Sequence, residues 1–361
     1  MKRLYGIDLI KSLAIFFVIS VHFFLNSGYY DTVMSGKSML IMTGARWLFF
    51  TCVPLFLLAT GFLRYKKTPT KKYYISLISI YVSYFIAAGI SSVFKYNFLD
   101  ESSNGIFFEL LGILSFKNGY SWYMEMFFGF ALLLPFVNLA YNSLKTKKEK
   151  LLSIGILLFL TAVCSLNFCV SIYEKTYYLL PDYWTFLYPF SYYLIGAYIS
   201  EYKPKINKLF GTAFLIVIIG LETVYTYIRC KEEFFNWGLL GGYGGITVVI
   251  STVVLFLLLY DLDIKNGFLR EVLKSISKKT LDIYMISYLF DLMFYPILKK
   301  ATPDFLSRIK YAPIMVIAVF ACAYAYASLK DIVFDAVIFL WNKAYSERAR
   351  EEENEPVSAD I

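Results

Sequence analysis

The sequence predicts an all-α polytopic membrane protein of about ten transmembrane helices, with both termini in the cytoplasm. Three observations carry that reading. Of the 361 residues, 58% are hydrophobic, 20% aromatic and only 17% charged, and a mean hydropathy of +0.58 is too high for a soluble protein of this length. Apolar runs of about 18–25 residues, the length that crosses a bilayer core, recur along the whole chain. Lysine and arginine gather in alternate loops, as the positive-inside rule requires.

The first run, Ile7–Ser27, is long enough to span and is not followed by the small-residue pattern of a cleavable signal peptide. Nine more follow: Met39–Leu63, Tyr73–Phe94, Ser121–Tyr141, Leu151–Ile172, Trp184–Ser200, Leu209–Ile228, Leu240–Tyr260, Thr280–Leu298 and Ala312–Trp341. The last exceeds one crossing and is expected to protrude from the membrane. Gly105–Phe116 is too short and glycine-rich to count as a span and is expected to form a lip or re-entrant piece.

Loop charge sets the orientation. With Lys2 and Arg3 inside, the inner loops hold Lys66, Lys67, Lys71 and Lys72, then Lys145, Lys147, Lys148 and Lys150, then Lys203, Lys205 and Lys208, then Lys265, Arg270, Lys274, Lys278 and Lys279. Outer loops carry far fewer, Lys299, Lys300, Arg308 and Lys310 being the exception. The net charge of +8 therefore fits loops facing anionic lipid and needs no nucleic-acid partner. Five cysteines without metal-ligand spacing read as packing residues, and no metal is expected. Residues 1–345 form one membrane domain on this reading; residues 346–361 are acidic, low in hydrophobicity and expected to be disordered.

Within the first run stands the only histidine of the chain, His22. At 100° per residue Asp8, Lys11, Ile15, Ile19, His22 and Asn26 share an arc of about 80°, polar at both ends and apolar between. An ionisable group near mid-membrane costs roughly 2.5–3.5 kcal/mol, so it faces the protein interior and marks a site or a pathway, or else only hydrogen-bonds a neighbouring helix. From Ile7 to His22 is fifteen residues, about 22 Å of rise, which places His22 in the outer half of the membrane. Arg46, Glu125, Glu222 and Asp291 fall at comparable depth on four other runs, which predicts one shared cavity. A second layer, with Asp8, Lys11, Arg64, Lys71, Lys72, Asp261 and Asp282, gathers at the inner side.

Several stretches resemble the acyltransferase 3 family of integral-membrane acyltransferases. The family pattern places an arginine eleven positions before an essential histidine; here His22 stands and Lys11 takes the arginine's place. VPLFLLATGFL, from Val53 to Leu63, is similar to a proline-led apolar run ending in Ser-Gly-Phe, with Thr60 for the serine. GYSWYMEMFFGFALLLPFVN, from Gly119 to Asn138, resembles the family's Trp-Tyr opening of the fourth span. SKKTLDIYMISYLFD matches a segment that often ends in histidine, where Ser287 stands instead. Paired arginines near the third span are represented only by Lys71 and Lys72.

The resemblance implies a stand-alone enzyme of the polysaccharide O-acetyltransferase kind in the cell membrane. Its donor would be acetyl-CoA or another short acyl-CoA, and its acceptor a hydroxyl of a surface glycan or lipid-linked sugar. His22 would then act as general base or accept the acyl group itself. Glu125, Glu222 or Asp291 would orient it, and Arg46 would stabilise the oxyanion. Asp8, Lys11, Lys71 and Lys72 would lie at the inner mouth with the coenzyme A phosphates, its pantetheine arm passing Ile15 and Ile19. The competing reading of the same buried charges is a polysaccharide exporter or a proton-coupled membrane transporter. Against it, the chain has no evident internal repeat and no paired interrupted helices.

Overall fold

The computed structural model describes residues 3–99, 105–172, 175–176 and 181–354. Helices dominate. In chain order they are α1 (Tyr5–Ser27), α2 (Gly36–Phe49), α3 (Cys52–Arg64), α4 (Lys71–Phe98), α5 (Gly105–Leu114), α6 (Trp122–Ser143), α7 (Lys147–Thr161), α8 (Tyr188–Tyr202), α9 (Lys208–Arg229), α10 (Ile246–Leu259), α11 (Gly267–Ala301), α12 (Phe305–Arg308) and α13 (Ala312–Asn354). Extended pairing among the described residues is confined to a two-rung antiparallel ladder at Ser171–Ile172 with Lys175–Thr176 and a single bridge from Met34 to Lys231.

Seven helical stretches are long and apolar enough to cross a bilayer: Tyr5–Ser27, Gly36–Arg64, Lys71–Phe98, Trp122–Ser143, Lys208–Arg229, Gly267–Ala301 and Phe305–Phe334. The chain is a multi-pass membrane protein. Where the sequence predicts three further spans there are shorter helices, α7, α8 and α10, of 15, 15 and 14 residues. At 1.5 Å per residue, 15 residues rise only about 22 Å.

Each difference has a local cause. Between α2 and α3 the ladder is interrupted beside Pro54, whose ring nitrogen cannot donate to the carbonyl four residues back. Leu240–Tyr260 does not begin as α-helix because Leu240, Gly241 and Gly242 take φ values of +58°, +72° and +59°. Leu151–Ile172 is α-helical only to Thr161 and continues as 3-10 helix over Val163–Val170. The piece around Gly105 forms its own ten-residue helix. At the far end the last helix is drawn through to Asn354, into the stretch read as a disordered tail; residues 355–361 lie outside the described residues.

The core sits around α1, which is buried along most of its length. Beside it, α3 and α8 cross so closely that backbone meets backbone. A Cβ on Gly61 would fall 2.0 Å from the carbonyl oxygen of Tyr193, and one on Gly196 would fall 2.1 Å from that of Leu58. Small residues permit this approach, which replaces hydrophobic driving force with dispersion contact inside lipid. The Asn138 amide then ties α6 to the end of α3, donating to the carbonyls of Arg64 at 3.0 Å and Lys67 at 2.7 Å and accepting from the Tyr193 hydroxyl at 2.6 Å.

Gly196→Ala is therefore expected to lower the thermal unfolding midpoint in detergent, at a cost of at least about 1–3 kcal/mol of overpacking. Gly220→Ala, on α9 with open space around it, is expected to leave the midpoint unchanged or raise it slightly. Equal midpoints for the two variants would show that α3 and α8 separate without cost.

Candidate active site

The site grows from the α1–α11 contact. His22 is 5% exposed and Asp291 3% exposed, and imidazole Nδ1 lies 3.2 Å from carboxylate Oδ2. The pair is in ion-pair contact but not aligned as a hydrogen bond: Nδ1, both Asp291 oxygens and the nearby Tyr295 hydroxyl have no hydrogen-bond partner among the described residues. Buried polar groups left open in this way need water or a ligand to complete them. Tyr120, on the connection before α6, packs its ring on the imidazole with centroids 3.9 Å apart. Asn26, one turn above His22, donates its side-chain amide to the Tyr120 hydroxyl at 2.7 Å and to the His22 carbonyl at 2.9 Å. The Tyr284 hydroxyl of α11 donates to the Tyr120 carbonyl. Ser287, where the sequence resemblance leads one to look for a histidine, is buried and donates to the Tyr284 carbonyl.

A carboxylate facing Nδ1 favours the tautomer with its proton there and leaves the Nε2 lone pair free. Tyr120 restricts rotation of the ring.

Below the histidine, toward the end of the bundle where α1 begins, lies a cavity of about 400 Å³. Its wall includes Lys11 and Val18 of α1, Thr60 and Arg64 of α3, and Lys278 and Lys330, so four cations face it against one carboxylate, Asp282. Lys11 donates to the Ser277 carbonyl, and Lys330 pairs with Asp282. Val18 is one helical turn short of His22, about 6 Å along the axis. Tyr284 and Met285 separate this cavity from a much smaller one, of about 20 Å³, walled by Tyr120, Ser121 and Tyr288.

Of the residues predicted to share one cavity, only His22 and Asp291 meet. Phe17 and Phe24 turn the opposite side of α1 to Phe49 of α2, with ring centroids 5.2 and 6.4 Å apart, and Phe24 lies about 160° around the helix from His22. Arg46 and Glu222 belong to that other side, buried at 2% exposure each. Glu125 is at the surface, paired with exposed Lys117 at 2.8 Å. At the inner layer Lys11 and Arg64 face the cavity, whereas Asp8 is taken by Arg3 through contacts of 2.6 and 2.8 Å. Lys71 and Lys72 are exposed and outside the cavity wall. Ile15 and Ile19 are fully buried; Val18 lines the cavity instead. Sequence reasoning missed Tyr120, Lys278 and Lys330. Tyr120 lies inside the GYSWYMEM motif, which was its one visible signal.

Fold and comparison together give the class, a membrane acyltransferase: the bundle is membrane-spanning, and the acyltransferase assignment comes from the family match. The particular family follows from comparison: the profile of the acyltransferase 3 family, an acyltransferase domain, matches residues 4–327, and the chain belongs to it. No curated protein and no solved structure matches the chain.

Because His22 is the only histidine, protein made with ¹⁵N-histidine should give one pair of imidazole nitrogen signals. The Nδ1–H tautomer is expected to dominate, and Asp291→Asn to lower its population. An unchanged tautomer ratio in a folded Asp291→Asn protein would sever the carboxylate from the ring.

Proposed function

We propose that the protein transfers a short acyl group, acetyl first among them, from cytoplasmic acyl-CoA to a hydroxyl of an extracytoplasmic or lipid-linked glycan. The observation that supports this most is the alignment on α1 of a cationic cavity reaching Val18 with His22 one turn beyond. The coenzyme A phosphates sit among Lys11, Arg64 and Lys278, and the partial burial of Lys11 and Arg64 strengthens their attraction for phosphate. The pantetheine arm runs up past Val18, and the thioester reaches His22 by displacing Met285 and Tyr284. Lys71 and Lys72 have no part in donor binding on this reading.

Nε2 of His22 takes the proton of the acceptor hydroxyl as its oxygen attacks the thioester carbonyl. The C–S bond then breaks, and the thiolate leaves with that proton as free coenzyme A. Asp291 holds the ring and stabilises the imidazolium between the two steps. With Arg46 on the far side of α1, the oxyanion falls to donors on this side, for which the Tyr295 hydroxyl, buried and without a hydrogen-bond partner among the described residues, is the candidate.

His22→Gln is expected to insert normally and to lose about 10²–10⁴ in rate, read as ester-linked acyl groups on the host's surface polysaccharide. Wild-type ester formation by this variant would remove His22 from the chemistry. At the cavity, Lys11→Arg should keep acyl-CoA binding in nanodiscs, while Lys11→Glu should weaken it about tenfold or more, since reversed charge repels phosphate. Equal affinity in all three proteins would leave Lys11 as an anchor for the Ser277 carbonyl alone.

A further inference from the structure

The second buried centre, on the opposite side of α1 from His22, has no part in the transfer chemistry above. Its focus is Arg46, whose guanidinium lies within a box of five rings: 4.2 Å from the Phe235 centroid, 4.4 Å from Phe50, 4.6 Å from Trp47, 5.7 Å from Tyr30 and 5.8 Å from Trp237. Nε donates to the Tyr30 hydroxyl at 3.0 Å. Nη1 is buried and has no hydrogen-bond partner among the described residues. Five rings moderate the cost of this charge through their quadrupoles, but cation–π contact does not satisfy N–H donors, and Nη1 is left open.

The roof of the box is made of loops. Tyr30 comes from the connection between α1 and α2, and Phe235 and Trp237 from the one after α9. The two loops are laced by backbone hydrogen bonds, Met34 N–H to the Glu233 carbonyl at 2.8 Å and Glu232 N–H to the Met34 carbonyl at 3.1 Å. Trp237 stacks on Tyr30 at 4.0 Å yet keeps 54% of its surface exposed, so the box is one ring deep from solvent at the end of the bundle where α1 terminates. From it a row of aromatic rings leads away. Phe50 stacks on Tyr243 at 4.0 Å, and Tyr243 on Trp122 at 5.7 Å. Trp122 is two residues from Tyr120, which covers His22. These rings cover one another's faces, so what they leave for a ligand is the open Nη1 donor of Arg46 and the exposed rim at Trp237, a combination that suits a sugar bearing an acidic group.

We propose that Arg46 and its aromatic box bind an anionic group of the acceptor, a sugar carboxylate or a sugar phosphate, while a neighbouring sugar presents its hydroxyl to His22. The inference rests on the acyltransferase reading and adds the acceptor's charge to it. Glu222, whose two oxygens make no hydrogen bond of good geometry among the described residues although the Thr247 hydroxyl lies beside them, takes hydroxyl donors of the same sugar. His22 lies five residues below the end of α1, about 7.5 Å of rise. A glycan draped over that helix end reaches both centres.

The test uses the full chain in nanodiscs, titrated with sodium glucuronate, glucose 1-phosphate and glucose, with tryptophan fluorescence as the readout. Saturable binding of one or both anions and none of glucose is expected; which anion binds separates the carboxylate from the phosphate. His22→Gln should bind as wild type does. Arg46→Gln should bind about tenfold or more weakly, the worth of a charge-assisted hydrogen bond. If Arg46→Gln does not fold, Trp237→Ala, a change at an exposed ring, decides by the same loss. Failure of both anions to bind, or wild-type affinity in the folded variants, would overturn the proposal even if acyl transfer to a glycan is seen. Anion binding by a protein that transfers no acyl group would keep the Arg46 site and discard the transferase reading.

Discussion

His22 and Asp291 are buried together in an apolar bundle, and that burial constrains the helices carrying them. Taking the Asp291 carboxylate out of water is costly, and removing the imidazole that faces it would leave a buried polar group open, at about 1–3 kcal/mol or more for a charged group. Their 3.2 Å separation therefore sets the height and rotation of α1 against α11. Tyr120 and Asn26 are placed in turn by that setting, since Asn26 holds the Tyr120 hydroxyl from one turn above the histidine. The cationic cavity is fixed by the same contact, because Lys11 leans on the Ser277 carbonyl of α11.

Which runs carry the buried ionisable residues was legible in the sequence, and the direction each residue faces was not. Hydropathy and loop charge place His22, Arg46, Glu222 and Asp291 at one level, but residues at one level face any direction around their own helices. Phe17 and Phe24 against Phe49 decide the matter, and no pattern of one chain announces which aromatic face meets which neighbour. Lys71 and Lys72 illustrate the same limit from the other end: the right loop, but the outside of it. Lys278 was invisible because it lies in a stretch where a lysine is an ordinary topology signal, and Lys330 because it sits in the last run, which is longer than one crossing needs. The fold class itself was plain from composition, while helix ends at Thr161 and Gly245 depended on local backbone geometry that hydropathy averages away.

Two polar centres on opposite sides of one helix divide the work differently from the single cavity the sequence predicts. On the proposed reading, His22 with Asp291 handles protons. Arg46, walled by rings, is sterically kept from them by α1 itself. Such separation lets one side be tuned for the reacting bond and the other for the partner's identity, since changes in a loop residue such as Trp237 leave the α1–α11 contact untouched.

The partition formed by Tyr284 and Met285 has an electrical consequence. A cavity of about 400 Å³ that reaches Val18 carries the potential of one compartment deep into the bundle, so the insulating layer there is far thinner than the surrounding lipid. A transmembrane potential is worth about 2.3 kcal/mol per elementary charge per 100 mV, and on this geometry it falls across the packed layer between Val18 and the end of α1 at Ser27, about 13.5 Å of rise. On the proposed reading, a charge that crosses this layer during turnover is driven or opposed by the membrane potential.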